Sequence, residues 1–148
     1  MNNALIQRIV HTQPAWAPVV LRITAGMIFA AHGGQKLFGW FGGSGLEGAS
    51  REMESFGLGP GYLMALLAGS AEFFGGLALM PGALVRPAAA VLAFTMVMAI
   101  SVHFGNGLFL ANDGYEYTLA LLVVTLSLVI SGAGSASLDR RLQWAYSD

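Results

Sequence analysis

Apolar residues run along this chain in four long blocks, and glycine or proline closes each of them. The blocks cover residues of about 18–38, 62–80, 87–104 and 117–131, each near the length a helix needs to cross a bilayer. "GWFGGSG" and "GLGPG" follow the first, "MPGALVRP" the second, "GNGLFLANDGYE" the third and "SGAGSASLDRR" the fourth. Glycine and proline at these points mark helix ends. The pattern predicts an all-α membrane protein: one domain over residues 1–148, folded as an antiparallel bundle of four transmembrane helices. Between the first two blocks, Leu46, Ala49, Met53 and Phe56 recur at spacings of three and four among Arg51, Glu52 and Glu54. That spacing predicts a short amphipathic helix over 46–56, suited to a membrane surface or to covering a bundle.

Composition agrees with the pattern. Of 148 residues, 55% are hydrophobic and only 10% charged, against about a quarter charged in a soluble domain. The apolar excess has to face lipid. The net charge of −1 and the lack of a basic run exclude nucleic acid as a partner. The absence of cysteine removes disulfides, thiolate metal sites and thiol redox chemistry. The polar opening "MNNALIQRIVHTQPAW" leads into the first block without a small-residue cleavage site, and reads as the approach to a membrane span.

Arginine sets the expected orientation. Arg8, Arg86, Arg140 and Arg141 share one side of the predicted bundle, while Arg51 and Lys36 stand on the other among several acids. By the excess of positive charge, both termini and the turn after the second block are cytoplasmic. The 46–56 helix is then extracytoplasmic.

Ionisable side chains inside apolar helices are costly and turn inward to find partners. Here they are Arg22, His32, Lys36, Glu72 and His103, with Glu116 at the start of the last block. Arg22, Ala25, Phe29, His32 and Lys36 keep heptad spacing and share one helix face. That face looks into the bundle. His32, Lys36, His103 and Glu116 fall toward the same end, and Glu72 lies near the middle of its helix, so one site can draw on all four helices. Arg22 lies deeper and is expected to approach Glu72 from the opposite side. Ala68, Gly69, Ala71, Gly75 and Gly76 let neighbouring helices come close beside Glu72. The bland alternative is a buried ion pair between Glu72 and Arg22 that fixes register and adds little stability.

"LRITAGMIFAAHGGQKLFG", "AEFFGGLALMPGALVRPAAAVLAFTMVMAISVHF" and "GYEYTLALLVVTLSLVISGAGSASLD" resemble the DoxX family of small four-helix membrane proteins. The resemblance runs from Val20 to Asp139 and includes Arg22, Gly26, Lys36, Glu72, Gly76, Gly82, Arg86, His103, Glu116, Gly134 and Asp139. It implies a multi-pass protein of a bacterial or archaeal cytoplasmic membrane. That family includes a subunit of a thiosulfate:quinone oxidoreductase, and other members are tied to oxidative stress and sulfur metabolism. Similar four-helix proteins include thiol-linked quinone reductases, a mechanism closed to this cysteine-free chain.

A redox-associated subunit holding a membrane quinone is the leading expectation. Glu72 and His103 are its catalytic candidates, and Arg22, His32, Lys36 and Glu116 its ligand-binding candidates. A quinone head needs hydrogen-bond donors at its carbonyls and a proton route on reduction. Electrons would come from a soluble or membrane redox partner. A non-catalytic accessory or scaffold subunit, open to oligomerisation, is one alternative. A metal or haem site on His32, His103, Glu72 and Glu116 is another, weakened by the lack of a His-x-x-x-His or Glu-x-x-His spacing. A transporter is disfavoured because no inverted repeat is visible.

Overall fold

In a computed structural model, residues 11–12 and 14–145 are described. Arg8, counted above on the cytoplasmic side, lies outside them. Among the described residues there is no β-strand. The helices are α1 (Ala17–Phe38), α2 (Gly45–Ser55), α3 (Gly61–Leu79), α4 (Val85–His103), α5 (Glu116–Ser131) and α6 (Leu138–Ala145). Pro18 sits in the first turn of α1, where its missing N–H costs nothing. Gly39, at φ 70°, ends that helix by returning its N–H to the Gln35 and Gly34 carbonyls. α1, α3 and α4 extended to Asn106 are long and apolar enough to cross a membrane, and α5 is a shorter apolar helix. Val20, Met27, Leu63, Phe74, Val123 and Ile130 turn their side chains outward. Outward apolar surface on this scale fits lipid and not water.

α1 packs most extensively against α3, and α4 against α5. The first contact depends on glycine. A methyl group at Gly26 would stand 2.8 Å from the Gly76 carbonyl oxygen, and one at Gly33 2.6 Å from the Phe73 Cα. Backbone meets backbone here, as small residues allow in membrane helices. Phe29, Leu79, Leu92 and Leu128 fill the centre of the bundle.

One end of the bundle is tied by side chains to backbone carbonyls. Arg22 Nε donates to Ala133 O at 2.9 Å and Nη1 to Leu79 O at 3.0 Å, with further bonds to the Met80 and Ala136 carbonyls. Arg86 bonds the Val129 and Ile130 carbonyls at 2.7 and 2.8 Å. The Asp139 carboxylate accepts the Leu84 and Val85 N–H groups at 2.7 and 2.9 Å, capping α4 from α6. Gly82, at φ 74°, leaves the room this requires: a methyl group there would fall 2.9 Å from the Arg22 Cζ. The chain does not simply close after α5, as its "SGAGSASLDRR" stretch suggests. It returns under the bundle to form α6, whose Arg140 lies over the Trp144 ring at 5.1 Å.

Candidate ligand-binding cavity

At the opposite end, a cavity of about 900 Å³ opens between α1, α3, α4 and α5, with Glu52 and Met53 of α2 also lining it. Phe29, Met64, Leu67, Met96 and Val102 contribute to its apolar wall. Glu72 faces this space from α3 with only 5% of its side chain exposed, and Lys36 from α1 with 26%. The Lys36 ammonium lies 2.6 Å from both Glu72 oxygens. A carboxylate and an ammonium thus neutralise one another at the edge of an apolar chamber, which meets the requirement that buried charges be paired.

This pairing corrects the partner expected for Glu72. Arg22 stands about 21 Å along α1 from Lys36 at the helical rise, and its guanidinium is taken up by the carbonyls of the other end. The reason is the α1–α3 contact: Gly69 has no side chain, so the Lys36 Cβ comes within 3.3 Å of where its Cβ would be. That places the ammonium one turn away, beside Glu72. Arg22 does not line the cavity. Neither does Glu116, whose carboxylate accepts the Leu110 N–H at 2.8 Å and organises the loop before α5.

His32 and His103 both line the cavity. His103, at the end of α4, meets the Phe56 ring beyond α2 edge-on, with centroids 5.9 Å apart. His32 Nε2 lies 3.5 Å from the Tyr117 hydroxyl, at the limit of a hydrogen bond. The structure therefore brings His32, Lys36, Glu72 and His103 to one chamber and leaves Arg22 and Glu116 outside it. Tyr117, Gln35, Thr95 and Thr118 join them there. Sequence reasoning used Tyr117 only as a span boundary. The signal was present: Tyr117 extends the stripe of Leu121, Thr125 and Leu128, which are buried on one face of α5. Phe73, beside Glu72, turns away and packs against Phe38 and Trp40 at 5.2 and 5.8 Å. Among the described residues no three His, Asp or Glu side chains gather as metal ligands.

The DoxX family model matches residues 17–105, well over half of the chain. The chain belongs to the DoxX family. With its apolar helices, that makes it a multi-pass membrane protein. The match runs from the start of α1 to just past α4 and so carries His32, Lys36, Glu72 and His103. Tyr117 and Asp139 lie beyond it. Among curated proteins the chain is similar to "Putative oxidoreductase CatD" of Bacillus subtilis (strain 168), 29% identical over 121 residues, which are 82% of this chain and 83% of that protein. No solved structure matches the chain.

Proposed function

We propose that this DoxX protein is a redox-associated subunit of the cytoplasmic membrane that binds a quinone-like molecule in the cavity. The observation that carries the reading is the Lys36–Glu72 pair, held at the edge of an apolar chamber of about 900 Å³. Ligand sites of this kind combine apolar walls with a few convergent polar groups, and span roughly 300–1,000 Å³. A quinone head with the first units of its isoprenoid tail fits that space. An ammonium has three donors, and Lys36 gives two to Glu72, leaving the third for a quinone carbonyl. His103, or Tyr117 with His32, serves the carbonyl opposite. Reduction to the quinol takes two electrons and two protons. The electrons come from a donor protein or soluble reductant, and Glu72 relays protons from water at the mouth to the quinone oxygens. The name of the Bacillus subtilis relative supports a redox setting.

In the bilayer, α1, α3, α4 and α5 are the four antiparallel spans, and α2 is the amphipathic helix over the extracytoplasmic mouth. Arg86, Arg140 and Arg141 gather at the carbonyl-tied end, whereas Lys36 and Arg51 at the cavity end are paired with Glu72 and Glu47. The positive-inside rule then puts both termini in the cytoplasm. The reading is tested by titrating purified protein in nanodiscs with a short-tailed quinone, comparing the wild type with Glu72→Gln and His103→Ala. Binding that is saturable in the wild type and weakened in both variants supports it. Equal binding by folded variants overturns it.

A further inference from the structure

Residues 104–115, between α4 and α5, make two short 3-10 turns, Phe104–Asn106 and Leu110–Asn112. The backbone there closes largely on itself. Asp113 N–H donates to Leu110 O at 2.9 Å, Gly114 N–H to Phe109 O at 3.0 Å, Tyr115 N–H to Gly107 O at 3.2 Å and Glu116 N–H to Leu108 O at 2.8 Å. The Glu116 carboxylate takes the Leu110 N–H, and the Phe104 ring stacks on Tyr115 at 5.5 Å. A segment with so many of its own donors and acceptors matched leaves few backbone groups unpaired at the boundary of the hydrocarbon, whose interior excludes lipid-exposed irregular backbone.

Four large apolar side chains of the loop are turned outward beside the polar Asn106, Asn112 and Asp113. Phe104, Leu108, Phe109 and Leu110 are 66%, 42%, 63% and 55% exposed. The only charged groups are Asp113 and the occupied carboxylate of Glu116. Helix length adds an independent reason. The 16 residues of α5 span about 24 Å, against roughly 30 Å of hydrocarbon. At the Ser131 end the chain turns directly into the tied end, where Ala133 and Gly134 are buried and Gly134 N–H donates to Thr12 Oγ1 at 2.6 Å. At the Glu116 end, the loop offers exposed apolar side chains to make up the difference.

We infer that the 104–115 loop is seated in the bilayer at the boundary between hydrocarbon and headgroups, with lipid acyl chains as the partner of Phe104, Leu108, Phe109 and Leu110, and that it carries the fourth crossing from the end of α5 to the membrane surface. The inference is independent of what the cavity holds. It places His103, one residue before the loop, below the membrane surface, so a ligand reaches that end of the cavity from lipid.

The cysteine-free chain permits a direct test. Phe109→Cys and Leu108→Cys, each carrying a nitroxide, are reconstituted as the full chain in phosphatidylethanolamine–phosphatidylglycerol vesicles. Collision with oxygen, which enters lipid, is compared with collision with a water-soluble nickel chelate. Val123→Cys, on the outward face of α5, is the lipid reference, and Arg51→Cys, on α2, the aqueous one. Both loop positions are expected to favour oxygen over nickel several-fold relative to Arg51→Cys, as Val123→Cys does. Nickel accessibility like that of Arg51→Cys overturns the inference. Shielding from both reagents also overturns it, since that is the mark of protein contact. The two positions are outward-facing, so a folding defect at one is checked by the other.

Discussion

Lys36 holds both oxygens of the Glu72 carboxylate at 2.6 Å, across the contact between α1 and α3. The pair is asymmetric, because Glu72 is nearly sealed and Lys36 a quarter exposed. Removing Glu72 therefore strands an ammonium that still reaches the cavity, while removing Lys36 strands a buried carboxylate.

Breaking a buried pair costs about 3–5 kcal/mol when one charge is left alone. Partial exposure relieves the stranded ammonium, so Glu72→Gln is expected near or below the lower end of that range and Lys36→Gln above it. The double variant should be more stable than the sum of the two losses implies. Thermal unfolding of all four proteins in one detergent measures the coupling. Strict additivity would mean that the two side chains do not stabilise one another.

Tyr117 makes a different demand. Its hydroxyl contact to His32 is long, at 3.5 Å, and contributes at most about 1 kcal/mol to stability. Tyr117→Phe is expected to melt close to wild type while losing a quinone hydrogen bond, a weakening of roughly tenfold or less for about 1.4 kcal/mol. Isothermal titration with a short-tailed quinone decides it. Unchanged affinity would remove Tyr117 from the site without touching the role of Lys36.

The α1–α3 contact can be probed apart from any charge. A methyl group at Gly76 would lie 2.6 Å from the Gly26 carbonyl oxygen, whereas one at Gly105 meets nothing within 4 Å. Overpacking of this kind costs about 1–3 kcal/mol. Gly76→Ala should therefore lower the melting temperature clearly, and Gly105→Ala should leave it nearly unchanged. Equal effects of the two substitutions would argue against close backbone packing at Gly76.

The all-helical class and the apolar helices were legible because lipid forces long apolar stretches and glycine or proline ends them. So was the inward face of α1: Arg22, Ala25 and Phe29 are buried. Partners were harder to read. Lys36 and Arg22 sit on that same face at heptad spacing, and only the close approach at Gly69 decides which of them meets Glu72. Glu116 is expected in the site from the sequence and does lie at the cavity end of the bundle, but it stands outside the cavity because its carboxylate bonds a loop N–H that no periodicity reveals. The helix α6 escaped notice because only eight residues form it, too few for a periodic signal to stand out.

Asp139 offers a pH signature at the end away from the cavity. Burial pushes its carboxyl above the usual carboxylate range, although the Val85 and Leu84 N–H groups and the charges of Arg22 and Arg86 pull the other way. With the folded value above the unfolded one, the folded protein holds the extra proton between them. The stability from this group is then fully present below the unfolded value and is lost as pH rises through the folded one. Asp139→Asn removes this titration and keeps one acceptor for two N–H donors, at a cost of about 1–3 kcal/mol for the group left unpaired. The stability gap between wild type and Asp139→Asn is expected to widen in favour of the wild type as pH is lowered from neutral toward the carboxylate range. Urea unfolding in detergent across that range follows the gap. A gap that narrows on acidification would mean that the helix-capping bonds and the two arginines outweigh burial, reversing the sign assigned to this carboxyl.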